Sequence, residues 1–188
     1  MPSTSTDKWG FVFKKAMINA VIYIHGKGGS AQEAVHYQRL FQHSAVIGFD
    51  YKAQTPWEAE KEFPEFFDSI SHNHQSVTLV ASSLGAYFTM NALSNKRIEK
   101  AFFISPVANM EKLISGIMLW ANVSEEELYT KKETKTAFGE TLSWEYLLYM
   151  REHPVCWQIP THILYGENII WSHLIPYLFL DSWILHYQ

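Results

Sequence analysis

The stretch Val77–Leu93 reads VTLVASSLGAYFTMNAL and joins three kinds of segment without a break. Its first five residues form an apolar run of the kind that suits a strand buried on both faces of a parallel sheet. Small residues then surround Ser83, with Ala81 two positions before it and Gly85 two positions after it. The remainder has the composition of a helix. We therefore predict a buried strand, a sharp turn that carries a serine, and a helix that follows directly.

Such a turn has chemical consequences for Ser83. A sharp turn lifts the hydroxyl clear of the sheet and aims the N-terminus of the next helix at any negative charge that forms beside it. This is the arrangement of a nucleophile elbow, although alanine stands at the first position of the usual G-x-S-x-G pattern. An ordinary strand-to-helix turn with serines chosen for their small size remains the alternative interpretation.

The rest of the chain alternates strand and helix patterns, which predicts a three-layer α/β/α sandwich with a mostly parallel sheet. We expect residues 1–16 to form a loosely ordered leader and residues 17–188 a single domain. Residues 109–153 are acidic and amphipathic, with no clear strand, and are predicted to form an inserted helical lid or cap. The other predicted strands are Ala20–Ile24, Ala45–Phe49, Ala101–Ile104 and Thr161–Tyr165.

A second loop strengthens the interpretation of Ser83. The stretch VIYIHGKGGS is a strand that ends at His25 and Gly26. With both loops in this order, the chain from about residue 20 to residue 168 resembles the α/β-hydrolase superfamily, in its serine-hydrolase branch. The resemblance implies an oxyanion hole built from the backbone N–H groups of Lys27 and Leu84. The implied oxyanion and binding residues are His25, Gly26, Lys27, Leu84 and Gly85.

A serine nucleophile needs a base, and the base needs an orienting acid. In the family that the chain resembles, the acid lies in a G-E-x-D motif after the strand that here reads THILYGE, and its position is occupied by Ile169. The chain ends at Gln188, before the expected catalytic histidine. Asp181 with His186 or His173 could replace the missing pair, but Asp181 and His186 are too close in sequence to occupy two separate loops.

The segment after Asn168 is much more apolar than the helix expected there. With suitable codons, one inserted nucleotide restores an aspartate two residues after Glu167. We therefore expect a reading-frame change or truncating variant that removes the usual acid and base; a short chain with a divergent last segment is the alternative. The exposed apolar tail could promote self-association.

The function predicted from these residues is hydrolysis of a carboxylic ester or similar acyl bond through Ser83, with activity impaired by the loss of the usual acid and base. The aromatic content suggests a small-molecule substrate with a short or medium apolar acyl group. Acyl transfer to an acceptor other than water would use the same residues. The alternative function is a catalytically inactive domain that binds a small molecule in the same pocket.

Composition excludes several other classes. The net charge of −4 and the absence of a basic stripe argue against nucleic acid as a partner. No run is long and apolar enough to span a membrane. The single cysteine, Cys156, cannot form an internal disulfide, which favours a reducing compartment and predicts a cytoplasmic protein.

No cofactor or metal ion is expected. His72 and His74 have a spacing that could bind metal, but their polar surroundings contain no other ligand, and a solvated loop is predicted. Cys156 is predicted to pack in or near the core. A group of aromatic residues could line an acyl pocket, but the inner face of the lid helices is the preferred location; its members are Trp120, Trp144, Tyr146 and Tyr149.

Overall fold

The structure is a computed structural model that describes residues 18–165 and, for the backbone, residues 5–6 and 12–13. The chain divides into two compact units. The first combines Met1–Pro106 with Trp157–Leu164, and the second combines Val107–Cys156 with Tyr165–Gln188.

The strands and helices follow one another in this order: β1 (Ser5–Thr6), β2 (Val12–Phe13), β3 (Asn19–Ile24), a 3-10 helix (Ala31–Tyr37), β4 (Ser44–Phe49), α1 (Pro56–Ser71), β5 (Val77–Ser82), α2 (Ser83–Ala92), β6 (Lys100–Ile104), α3 (Met110–Trp120), α4 (Glu125–Lys131), β7 (Glu133–Lys135), β8 (Thr141–Ser143), α5 (Trp144–Glu152) and β9 (Thr161–Leu164).

The first unit contains a five-stranded sheet in the order β4-β3-β5-β6-β9. All of its neighbouring strands are parallel, as the apolar runs predicted. The chain leaves β3 toward β4 on one side, whereas β5 pairs with β3 on the other. The order of the sheet therefore reverses between β3 and β5, and the crevice at the carboxyl ends of two such strands is where open α/β sheets bind ligands.

The sheet is covered on both faces, which gives the predicted three layers. Val21, Tyr23 and Val80 point to one face and form a cluster with Ala34 of the 3-10 helix. Because side chains alternate along a strand, the neighbours of these residues point to the opposite face. There α1 and α2 pack against each other and α2 contacts β3 and β5. The phenyl rings of Phe63 and Phe88 meet edge to face across α1 and α2.

Helix α1 begins directly after a capping residue, Thr55. The Thr55 hydroxyl accepts from the backbone N–H of Glu58, and the Glu58 side chain accepts from the backbone of Thr55, which forms a capping box. Ala59, Phe63 and Phe67 follow at four-residue intervals and are buried. The alternation of strand and helix patterns is confirmed here by an α-helix, whereas the segment after the Gly-rich loop (residues 26–30) forms only a short 3-10 helix.

The second unit contains α3, α4 and α5 and an antiparallel hairpin formed by β7 and β8. The hairpin contradicts the expectation that this part of the chain has no strand. Leu128, Leu142 and Leu147 are buried and form part of its core.

The Arg151 guanidinium binds the carboxylates of Glu111 at 2.9 Å and Glu125 at 2.6 Å, so one side chain of α5 links α3 to α4.

Two predictions of burial are wrong. Cys156 is exposed, because it lies in an irregular segment after α5 that forms no part of the sheet. Trp120 ends α3 with 56% of its surface exposed and stacks on Phe138 near the tip of the hairpin. Among the described helices, none is long and apolar enough to cross a membrane.

Candidate functional site

Ser83 lies at the turn between β5 and α2, immediately after the last residue of the strand. Its φ of 49° falls in the left-handed region, which costs energy for a residue with a Cβ. Strained backbone of this kind persists where surrounding structure enforces it, and it is concentrated at functional sites. The sharp serine turn predicted from the sequence is therefore present between the strand and the helix.

Two glycines allow this turn to pack against the end of β3. A Cβ on Gly85 would lie 2.1 Å from the carbonyl oxygen of His25, so only glycine lets the first turn of α2 approach so closely. A Cβ on Gly26 would lie 3.1 Å from the Cβ of Ser83. The loop after β3 and the serine turn are thus in direct contact at the reversal point of the sheet.

The backbone of the Gly-rich loop is held by its own hydrogen bonds. The Nδ1–H of His25 donates to the carbonyl oxygen of Gly26 at 2.9 Å, and the N–H of Gly29 donates to the same oxygen at 3.0 Å. Gly28 has a φ of 76°, which a glycine adopts without strain. The peptide group between Gly26 and Lys27, whose N–H is the predicted oxyanion donor, is therefore fixed by two bonds to its carbonyl.

Glu33 anchors the far end of this loop. Its carboxylate accepts from the backbone N–H of Ser30 at 3.0 Å and from the hydroxyl of Tyr23 at 2.5 Å. The Tyr23 hydrogen bond, followed by the bond from Ser30, lowers the pKa of the Glu33 carboxyl. Burial and the neighbouring Glu33 carboxylate raise the pKa of Tyr23 above its ordinary value, so its hydroxyl remains a donor.

Tyr51, in the loop after β4, is a site residue that sequence reasoning did not identify. Its hydroxyl donates to the carbonyl oxygen of His25 at 2.9 Å, and its ring stacks on the His25 imidazole with centroids 4.4 Å apart. The sequence marks Tyr51 only as the residue that follows a predicted strand. No local pattern indicates a contact across 26 positions of the chain.

Ser105 is a second residue missed by sequence reasoning. It follows β6 directly, and its φ of 45° nearly matches that of Ser83. Ser82 and Ile104 are register partners on β5 and β6, so two strained serines follow paired positions on neighbouring strands. The dipeptide Ser105-Pro106 marks the end of a strand, but nothing in it indicates a left-handed backbone.

Within residues 18–165, no histidine forms a hydrogen bond with Ser83. His25 uses Nδ1 for its bond to Gly26, while its buried Nε2 has no partner among the residues that the structure describes. His162 lies on β9 and stacks on Phe102. His72 and His74 lie in the turn after α1, as predicted; His72 is exposed, His74 is half-buried, and both rings bond to backbone carbonyls at the end of that helix.

The predicted acid and base candidates, Asp181, His173 and His186, lie outside the described residues, as does Ile169. The described part of the chain contains no group of three or more His, Cys, Asp or Glu side chains placed to hold a metal ion.

No protein-family model matches the sequence, and no curated protein was found to be similar to it. Solved structures are similar. Alpha/beta hydrolase domain-containing protein 10 from mouse aligns with a TM-score of 0.59 at 18% identity, covering 78% of this chain and 68% of that one. Est1E from Butyrivibrio proteoclasticus aligns with a TM-score of 0.59 at 16% identity, covering 81% and 68%. A structure of Est1E with ferulic acid bound aligns with a TM-score of 0.54 at 14% identity, covering 77% and 67%.

These similarities show that the chain has the α/β-hydrolase fold, and the resemblance drawn from its two loops is confirmed at that level. At such low identity the similarity establishes the fold, while activity has to be argued from the residues of this chain.

Proposed function

We propose that this chain is a serine hydrolase that cleaves a carboxylic ester or a similar acyl bond, with Ser83 as its nucleophile. The observation that carries the proposal is the left-handed backbone of Ser83 at the reversal point of the sheet, in contact with Gly26. The fold that it shares with Est1E and the mouse hydrolase-domain protein adds support, because that fold hosts serine hydrolases built on such a turn.

In the proposed reaction the Ser83 oxygen attacks the substrate carbonyl while a base removes the hydroxyl proton. The carbonyl oxygen becomes an oxyanion that accepts hydrogen bonds from the N–H groups of Lys27 and Leu84. The alkoxide leaves with a proton returned by the base, and water then releases the acyl group from Ser83 by the same steps. Gly85 contributes by letting α2, and with it the Leu84 N–H, approach the end of β3.

No histidine within residues 18–165 forms a hydrogen bond with Ser83, so none of them is supported as the base. The proposal therefore assigns this role to His173 or His186, with Asp181 as a candidate acid. Without a base, a serine turn and oxyanion donors retain only a small part of the acceleration that a complete site provides.

The contacts of the described histidines favour a second candidate function. In that case the chain binds a small acyl compound at the same crevice without reacting with it. A hydrolase and a binding domain would share the turn and the Gly-rich loop, and they differ only in whether a base reaches the Ser83 hydroxyl.

Intact-mass labelling with a fluorophosphonate separates the two candidates, because such probes phosphonylate an activated serine. We expect one adduct on the wild-type chain, none on Ser83→Ala and one on Ser82→Ala, the matched control in the preceding position. An adduct that survives in Ser83→Ala would contradict the assignment of the nucleophile. No adduct on the folded wild-type chain would support the binding domain.

Substrate class is tested next with p-nitrophenyl acetate and butyrate. Methyl ferulate belongs in the same panel, because Est1E has been solved with ferulic acid bound. Turnover of an ester by the wild-type chain, lost in Ser83→Ala, is the expected result. Transfer to an added alcohol in place of water would identify an acyltransferase with the same residues.

A further inference from the structure

Tyr51 lies outside the Gly-rich loop and contacts His25, the residue that directly precedes it. Only 7% of the surface of Tyr51 is exposed, and its hydroxyl and ring both contact His25, the last residue before Gly26. The hydroxyl donates to the carbonyl oxygen of His25, the same oxygen that a Cβ on Gly85 would strike. One carbonyl group is therefore the point where Tyr51, α2 and the Gly-rich loop meet.

The imidazole of His25 extends this contact to the predicted oxyanion donor. Its Nδ1–H bonds to the carbonyl oxygen of Gly26, which belongs to the same planar peptide group as the N–H of Lys27. In a trans peptide these two groups point in opposite directions, so the position of the Gly26 oxygen fixes the direction of the Lys27 N–H. The orientation of one ring thereby determines where that donor points.

Nothing else in the described part of the chain orients this ring by hydrogen bonding. The other ring nitrogen of His25, Nε2, is buried and has no partner there. The ring also stacks on Tyr51, with planes 14° apart, and this contact restrains its orientation. A buried nitrogen without a partner costs stability, so a ring kept in this position is consistent with a role in orientation.

Tyr51 is itself held rigidly. The carboxylate of Glu62 on α1 accepts from the backbone N–H groups of Lys52 at 2.9 Å and Ala53 at 2.8 Å, which fixes the chain directly after Tyr51. The ring also packs against Phe63, with centroids 5.2 Å apart. Burial raises the pKa of Tyr51 to about 12, so the hydroxyl keeps its proton and remains a donor at neutral pH.

We propose that Tyr51 is a positioning residue of the oxyanion site, which holds His25 so that the Lys27 N–H is aimed at the oxyanion formed on the Ser83-bound substrate. The inference rests on the proposed function, since it assigns a purpose to the Gly-rich loop in that reaction. Tyr51 does not touch the reacting atoms and acts only through His25.

Labelling kinetics test the proposal on the full chain. In Tyr51→Phe we expect the maximal rate of fluorophosphonate labelling to fall about tenfold, with the half-saturating probe concentration unchanged, because an oxyanion donor contributes to the transition state. Tyr51→Leu, which also removes the stack, should fall further. Tyr37→Phe is the matched control, because it removes the hydroxyl of a tyrosine stacked on Tyr23. Its rate should change less than about twofold.

A merely structural Tyr51 would lower the rate only in proportion to the folded fraction, which thermal unfolding measures. A wild-type rate in Tyr51→Phe, or a loss fully explained by unfolding, would overturn the proposal.

Amide hydrogen exchange keeps the test independent of catalysis. The Gly29 N–H bonds to the Gly26 oxygen, so its exchange reports on the same peptide group. In Tyr51→Phe we expect exchange of a peptide that spans residues 26–30 to accelerate about fivefold, with α1 unchanged. If the wild-type chain does not react with the probe, the proposed function fails, and unaltered exchange in Tyr51→Phe would reject the role of Tyr51 separately.

Discussion

Strands β5 and β9 belong to the same sheet but support their following loops very differently. β5 lies at the centre, and Leu79 and Ala81 have no exposed surface. β9 follows β6 at the end of the strand order, and Ile163 and Leu164, which point to opposite faces, are 42% and 51% exposed. The serine turn therefore extends from a strand that packing fixes on both faces, whereas the loop predicted to carry the acid follows a strand fixed chiefly by its ladder with β6.

The difference teaches that the strands which would carry the two halves of the proposed site are packed with unequal strength. At β5 the backbone of Ser83 is strained, and the packing around it offsets that strain. Such packing is scarce around the described residues of β9, so the register of this strand depends mainly on its pairing with β6. The presence of the strained serine turn is consequently poor evidence that an acid and a base accompany it.

The largest expected effect concerns the two strands themselves. Leu79→Ala should lower the free energy of unfolding by about 4 kcal/mol, because a fully buried leucine leaves a cavity at the centre of the sheet. Leu164→Ala, the matched change on β9, should cost less than about 1 kcal/mol. Urea denaturation measures both. Equal losses would show that β9 is packed as firmly as β5, and the comparison would fail.

A smaller effect is expected where the serine turn meets β3. Gly85→Ala should cost about 3 kcal/mol, because the new Cβ would meet a backbone carbonyl that cannot move aside. Gly28→Ala is the control, since it adds a Cβ in open space and costs only the strain of its left-handed backbone, about 1 kcal/mol. Denaturant titration of both variants gives the two values. A Gly85→Ala chain as stable as Gly28→Ala would mean that α2 can shift freely.

The smallest effect concerns pH and the anchor of the Gly-rich loop. The folded chain lowers the pKa of Glu33 from its ordinary value of 4.5, so the stabilisation is complete above that value and is lost as pH falls through the lower folded pKa. Between about pH 6 and about pH 3, stability should therefore fall less steeply in Glu33→Gln than in the wild type. Urea midpoints measured across this range test the expectation.

Glu65→Gln, an exposed change on α1, is the matched control for this titration. Its pH dependence should follow that of the wild type. An unchanged slope in Glu33→Gln would show that the carboxylate does not contribute through its ionised form.

The sequence was sufficient to predict the elements whose signals are local. Apolar runs identified the five strands of the sheet, and the small residues around Ser83 identified the turn. Each of these features depends on residues adjacent in the chain. The parallel arrangement followed because helices alternate with strands.

The features that the sequence did not predict depend on contacts between distant segments. Tyr51 meets His25 only because β4 pairs with β3. The hairpin of β7 and β8 has strands of three residues, too short for a periodic pattern to stand out. Ser105 takes its left-handed backbone at a strand end whose residue types permit several conformations.

The hydrogen bonds of Arg151 couple the effects of substitutions at two positions of the second unit. One guanidinium is shared by Glu111 and Glu125, and it makes two hydrogen bonds to Glu125. Either glutamate can be replaced while the other keeps the arginine in place, but loss of both leaves its charge unpaired. The effect of a substitution at one glutamate therefore depends on the residue at the other, and the effects of the two substitutions should not add.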